Sequence, residues 1–204
     1  GDAVAVGALL AALPRGQLTG MVVYHTAGVL RDGMLRSQSS DGFREVSRPK
    51  VDGYWNLQYS CLGAGPCHFV AFSSVASFLG SIGQANYAFS NACLDGLVRQ
   101  QTRLQVSAVS IQWGAWSSVG MAARNNTAAR IAKDGLIAIE TAPGLLAMDT
   151  CMRSAAQSHL HDADGNVICA CPVDPALVTP AVLWSDLFGN QGKHDGSLVA
   201  PVET

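Results

Sequence analysis

Four short apolar runs rich in β-forming residues, with helical stretches between them, constrain this chain more than any other feature. Gly20 to His25 (GMVVYH), His68 to Ser73 (HFVAFS), Ser107 to Trp113 (SAVSIQW) and Asn166 to Cys171 (NVICAC) read as buried strands. They recur about every 40 to 60 residues, too far apart for hairpins. Strands in that rhythm call for right-handed helical crossovers and a parallel sheet covered on both faces. The expected class is α/β, a doubly wound parallel sheet.

The intervening segments carry helix punctuation. Asp2 is placed to cap a helix through Ala3 to Leu13, which Pro14, Arg15 and Gly16 end. Ser39 to Asp41 open a second helical stretch reaching Tyr59, and Pro49 inside it predicts a kink near Lys50. A third runs from Gln84 to Leu104. Beyond Pro172 the chain becomes proline-rich, and Gly189 to Thr204 lacks periodicity, as a linker would. Because residue 1 is Gly rather than Met, with no signal-peptide pattern, the chain reads as part of a longer polypeptide.

Composition removes several function classes. Of 204 residues 49% are hydrophobic and only 14% charged, with a net charge of −2, so no basic excess exists to neutralise phosphates. Nucleic-acid binding by charge is excluded. The longest apolar stretch, Ala3 to Leu13, falls short of the roughly 20 residues of a membrane span. Six cysteines (Cys61, Cys67, Cys93, Cys151, Cys169, Cys171) show no pairing pattern and read as reduced core residues of a cytoplasmic protein. Cys169 and Cys171 share a strand face, but nothing nearby completes a zinc shell, and no metal is expected.

One constellation carries chemistry. Tyr87 and Asn91 stand four residues apart and so share a helix face. Ser74 follows the second strand, at the carboxyl end where open α/β sheets bind ligands, and Lys50 sits at the kinked helix before that strand. A tyrosine near pKa 10 is a weak acid at neutral pH. An ammonium about 4 Å away, at an effective dielectric near 20, would lower it by about three units. A serine hydroxyl can hold a carbonyl oxygen while the tyrosine gives it a proton.

Each residue also has a plain reading: Ser74 as a turn or helix cap, Lys50 as a surface charge, His25 as a satisfied strand-end histidine. His68, His159, His161 and His194 show no partner spacing. A serine hydrolase would need a GxSxG elbow, whereas Ser74 lies in FSSVAS. Trp113 and Trp116 read as packing residues of a loop over the cleft.

The runs HTAGVLRDGML (His25 to Leu35), PKVDGYWNL (Pro49 to Leu57), FVAFSSVASFLGSIGQANYAFSNACLDGL (Phe69 to Leu97) and SIQWGAWSSVGMA (Ser110 to Ala122) carry a resemblance. Together, in order and spacing, they resemble the ketoreductase domain of modular type I polyketide synthases, members of the short-chain dehydrogenase/reductase superfamily. The resemblance covers about residues 1 to 175. It implies a Rossmann-like sheet and NADPH-dependent reduction of a β-ketoacyl thioester, carried by phosphopantetheine on an acyl carrier protein, to the β-hydroxy form.

By position, Tyr87 is then the proton donor, Ser74 orients the carbonyl, Lys50 lowers the tyrosine pKa and touches the ribose, and Asn91 completes the tetrad. Further cofactor contacts fall on Tyr87, on Thr26, Ala27 and Gly28 and on the Trp113 to Met121 segment, and Met121 either lines the substrate entrance or packs. The Leu-x-Asp run Leu30, Arg31, Asp32 resembles that of B-type members, which form the D-hydroxy product. The tryptophan that marks A-type members is missing between Phe78 and Asn86.

The glycine-rich nucleotide-binding turn of the family has no counterpart in this sequence. The expectation is therefore a partial ketoreductase domain over residues 1–188, lacking its first strands, followed by a linker over 189–204 towards a carrier protein. On that expectation the chain alone binds NADPH poorly and folds marginally. A catalytically silent scaffold domain of a polyketide or fatty acid synthase is the alternative.

Overall fold

In a computed structural model the described residues are 2–13, 20–61, 67–104, 106–121, 135–157 and 166–174. The expected linker over 189–204, His159, His161 and His194 lie outside them.

All four expected strands form and pair in parallel, in the order β1-β2-β3-β4: β1 (Val22–His25), β2 (His68–Ser74), β3 (Ala108–Trp113) and β4 (Val167–Ala170). Their register aligns the functional ends. His25 sits beside Ala71 on β2, Ser74 beside Trp113 on β3, and Trp113 beside Ala170 on β4. Ser74, expected just past its strand, is the last residue of β2.

The helices follow their sequence punctuation. Asp2 caps α1 (Ala3–Ala11), its side chain accepting from the Val4 and Ala5 amides. Ser39 caps α2 (Ser40–Ser47) through the Gly42 amide. The proline kink takes a definite form. Between α2 and α3 (Gly53–Cys61) the chain widens into a π-helical turn, Arg48–Asp52, with Pro49 in its first positions and the Gly53 amide reaching back to the Arg48 carbonyl. A proline lacks the N–H that an α-helical ladder needs there, and the wider turn absorbs the loss. After the short α4 (Ala76–Leu79), α5 (Ala85–Arg103) returns along the sheet. The last described helix, α6 (Thr141–Gln157), connects β3 to β4.

Alternation along the strands divides the interior into two layers. Phe69 and Ala71 face Leu10, Tyr54, Cys61, Leu94 and Val98 of α1, α3 and α5. Val70, Val109, Ile111 and Trp113 face Ile139 and Cys151 on the α6 side. Burying such side chains is worth about 1.5–3 kcal/mol each. Tyr54 reaches across the first layer, its hydroxyl donating to Gln101 Oε1 at 2.7 Å and its ring meeting Phe69 edge to face.

The cysteine reading needs one correction. None of the six cysteines is in a disulfide, and Cys61 and Cys151 are buried, but Cys169 is exposed on β4, where side chains alternate outward. No described helix is long and apolar enough to cross a membrane.

Candidate active site

Parallel strands put all their carboxyl ends on one edge of the sheet, and there the folding of α2, α3 and α5 brings the expected residues together. Lys50 enters from the π-helical turn and is 3% exposed. Its ammonium donates to the Phe72 carbonyl of β2 at 2.8 Å and stands 5.6 Å from the centroid of the Tyr87 ring. Tyr87 lies in the first turn of α5, and Asn91 one turn later is fully buried, its amide donating to the Tyr87 carbonyl at 2.8 Å. Asn91 Oδ1 is buried without a hydrogen-bond partner. Ser74 is half-buried at the end of β2, its hydroxyl accepting from the Ala76 amide.

The electrostatics differ from the sequence-based expectation. Burial raises the Tyr87 phenol above its usual pKa, and hydrogen bonding from Asn91 and Ser74 opposes this without overcoming it; Asp32 raises it slightly further. Lys50 is not among the groups that bring the phenol down: its Nζ donates to the Phe72 carbonyl and lies over the Tyr87 ring, 5.6 Å from the centroid. Tyr87 is accordingly a protonated phenol throughout the neutral range. Lys50 itself is lowered to about 8, chiefly by burial and against the pull of the Asp95 charge.

His25 is the satisfied strand-end residue that its sequence context suggested. It is 4% exposed, contacts Tyr54 edge to face, and its Nε2 lies 2.9 Å from the Lys50 carbonyl. A carbonyl can only accept, so Nε2 carries the proton.

Thr26 and Ala27 are exposed just beyond β1. At Gly28 a Cβ would stand 3.2 Å from Lys50 Cε and 3.6 Å from Met121 Cε. Gly28, Lys50 and Met121 thus converge, and the missing side chain is what permits it.

The Leu30–Asp32 run is fastened to the start of α5. Buried Asn86 donates from Nδ2 to the Arg31 carbonyl at 2.8 Å, while its Oδ1 accepts from the Tyr87 amide at 2.7 Å. Gln84 Nε2 lies 3.2 Å from both Asp32 oxygens, and the Gly33 amide donates to the Gly83 carbonyl at 2.8 Å. Leu30 is half-buried. The Arg31 side chain points away, to an exposed pair with Glu45 at 2.7 Å.

Sequence reasoning missed Gln84, Asn86 and Asp95. The available signal was polar residues at the start of the Tyr87 helix and, for Asp95, its four-residue spacing from Asn91.

A tyrosine, a serine and a buried lysine thus stand together at the carboxyl edge of the parallel sheet of a Rossmann-like fold. The KR domain family profile matches residues 2–118, and the chain belongs to that family. Polyketide synthase GfsB of Streptomyces halstedii is 40% identical over 159 residues, which is 78% of this chain and 3% of that protein. Spectinabilin polyketide synthase system protein NorB of Streptomyces orinoci is 38% identical over 154 residues, 74% of this chain and 7% of the relative. Among solved structures, one described as A-type ketoreductases from a modular polyketide synthase superposes with a TM-score of 0.75 at 29% identity, covering 88% of this chain and 37% of that one. The fold is therefore the Rossmann-like, short-chain dehydrogenase/reductase type found in ketoreductases. This chain spans only a small part of its curated relatives.

Proposed function

We propose that this chain is the catalytic-residue-bearing part of an NADPH-dependent β-ketoacyl reductase within a cytoplasmic polyketide synthase, acting on thioesters tethered to an acyl carrier protein. The observation that carries this reading is the convergence of Ser74, Tyr87, Asn91 and Lys50 at the carboxyl edge of the sheet. In this reading Ser74 holds the substrate carbonyl oxygen and Tyr87 gives that oxygen a proton as it becomes an alkoxide. The raised phenol pKa suits a donor that must be protonated at rest. Asn91 fixes the Tyr87 turn, and Lys50 offers its charge to the reacting edge and a donor to the cofactor ribose.

The residues present fit the nicotinamide-ribose end of the cofactor: Thr26 and Ala27 are open, and Gly28 makes a cradle beside Lys50 and Met121 that a Cβ would fill. When bound, the reduced nicotinamide supplies hydride to the carbonyl carbon. Residues 1–188 would form the reductase part and 189–204 a linker towards the carrier protein.

The same reading extends to stereochemistry. Leu30 and Asp32 border the Tyr87 end of α5, and Arg31 leaves that border free by turning to Glu45. This supports a B-type, D-hydroxy outcome despite the arginine in the middle of the run.

The test is reduction of a diffusible β-ketoacyl thioester by the synthase that carries this chain, followed by NADPH absorbance and chiral chromatography. The D-hydroxy product is expected, with Tyr87→Phe slowing turnover about 100-fold or more. Mainly L-hydroxy product overturns the stereochemical assignment. Unchanged turnover in Tyr87→Phe overturns the tyrosine's role and leaves the scaffold alternative standing.

A further inference from the structure

The α5 face of β3 is unlike the rest of the interior. Where β2 offers Phe69 and Ala71 to the helices, β3 offers Ala108, then Ser110 and Gln112. Both polar side chains turn to one residue. Ser110 Oγ donates to Asp95 Oδ1 at 2.6 Å, and Gln112 Nε2 donates to Asp95 Oδ2 at 2.8 Å and also reaches Ser77 Oγ at 2.9 Å. Asp95 is 2% exposed and Ser110 fully buried. Two acceptor oxygens, each engaged by a donor, describe a carboxylate rather than a carboxylic acid.

A buried carboxylate is costly unless its charge is matched. Among the described residues the titratable groups around Lys50 are His25 at the end of β1 and Tyr87 and Asp95 on α5. His25 is neutral and Tyr87 protonated, and the strand register brings the remaining pair together: Phe72, whose carbonyl holds the Lys50 ammonium, pairs with Ile111, the residue between the Ser110 and Gln112 that hold the Asp95 carboxylate, so the two charges stand at neighbouring positions of adjacent strands. Tyr87, Asn91 and Asp95 recur every four residues and so form one stripe of α5.

We propose that Asp95 is a positioning residue: its carboxylate, held at both oxygens by β3, presses the Tyr87–Asn91 stripe of α5 onto the sheet and supplies the negative charge opposite Lys50. The sequence places an acid in the middle of a helix face that packing would otherwise make apolar. Its consequence for reduction rests on the function proposed above, but the link between Asp95 and Lys50 does not.

The titration of Lys50 tests it without any turnover. Lys50, Lys133 and Lys193 are the only lysines of the chain, so 13Cε-labelled lysine gives three resonances to follow against pH. In the full chain the Lys50 resonance is expected to titrate near 8, below the ordinary lysine value of 10.5. Asp95→Asn keeps the shape but removes the charge, and should move that midpoint down by about one pH unit. Ser110→Ala, which removes one donor and keeps the charge, should leave the midpoint in place. An unmoved midpoint in Asp95→Asn, or an equal fall in Ser110→Ala, overturns the proposal.

A measurement on the unaltered chain guards against a variant that does not fold. The Asp95 13Cγ resonance should show an inflection at the Lys50 midpoint and lose it in Lys50→Met; its absence from the unaltered chain also overturns the proposal. If the titrations behave as expected while the thioester is not reduced, the positioning link stands and the reductase reading falls. If both hold, Asp95→Asn should move the alkaline limb of kcat down by the same amount as the Lys50 midpoint.

Discussion

His25 Nε2 donates to the backbone carbonyl of Lys50 across 2.9 Å, joining the end of β1 to the widened turn between α2 and α3. The bond fixes where the lysine stem leaves the backbone, before its ammonium reaches Phe72. It also gives the histidine an unusual titration. Burial first, with the nearby Lys50 charge, lowers its pKa from 6.5 to about 4, although the hydrogen bond to Lys50 opposes the shift.

The sign of the pH dependence follows. Below 6.5 the unfolded chain binds a proton at this position while the folded chain stays neutral until about 4. Stability is therefore lost as pH falls through that window, by about 3 kcal/mol from this residue. Urea unfolding of the wild-type chain and of His25→Asn at pH 7 and pH 4.5 checks it: the variant should lose less stability on acidification. Equal losses would assign the acid sensitivity to other groups.

Asn86 binds the Leu30–Asp32 run and the Tyr87 amide at once. Asn86→Ala removes both bonds from a fully buried position, at a cost of about 1–3 kcal/mol, and should lower the stereochemical purity of the product. Arg31→Asp, by contrast, breaks only an exposed ion pair with Glu45, worth less than about 1 kcal/mol. Chiral chromatography should then show an unchanged product. A greater loss of purity in Arg31→Asp than in Asn86→Ala would place stereocontrol in the side chain rather than in the backbone fastening.

Gly28 approaches Lys50 more closely than any residue with a side chain could without displacement. Gly28→Ala places a Cβ 3.2 Å from Lys50 Cε, so the lysine stem must give by a few tenths of an ångström, whereas Met121 Cε at 3.6 Å is in ordinary contact. Misplacing a reacting group by about 1 Å can cost up to about 100-fold in rate. The expected outcome is a higher KM for NADPH with a melting temperature close to that of the wild type. An unchanged KM would remove this cradle from the cofactor reading.

How much was legible differs between elements. The four strands and the helices between them were readable because buried parallel strands and capped helices leave strong local marks: the VVY and FVAF runs, Asp2, Ser39 and the Pro49 break. The grouping of Ser74, Tyr87, Asn91 and Lys50 came from spacing and family resemblance. The direction of the Tyr87 pKa was not readable. It depends first on how deeply the fold buries the phenol, and the Lys50 ammonium, held by the Phe72 carbonyl across 22 positions of sequence, does not offset that burial.

Asp95 marks the same boundary. Its position on the Tyr87 stripe is fixed by helical periodicity alone, but periodicity would predict an apolar residue there. Only the pairing of β3 with β2 brings Ser110 and Gln112 beneath it and makes a buried carboxylate tolerable. The sequence by itself determined the α/β class, the strand rhythm and the identities of the residues at the carboxyl edge, because these follow from local propensity and side-chain period. The tertiary structure decided which charges face one another, since burial, hydrogen-bond geometry and pKa depend on distances that chain separation does not set.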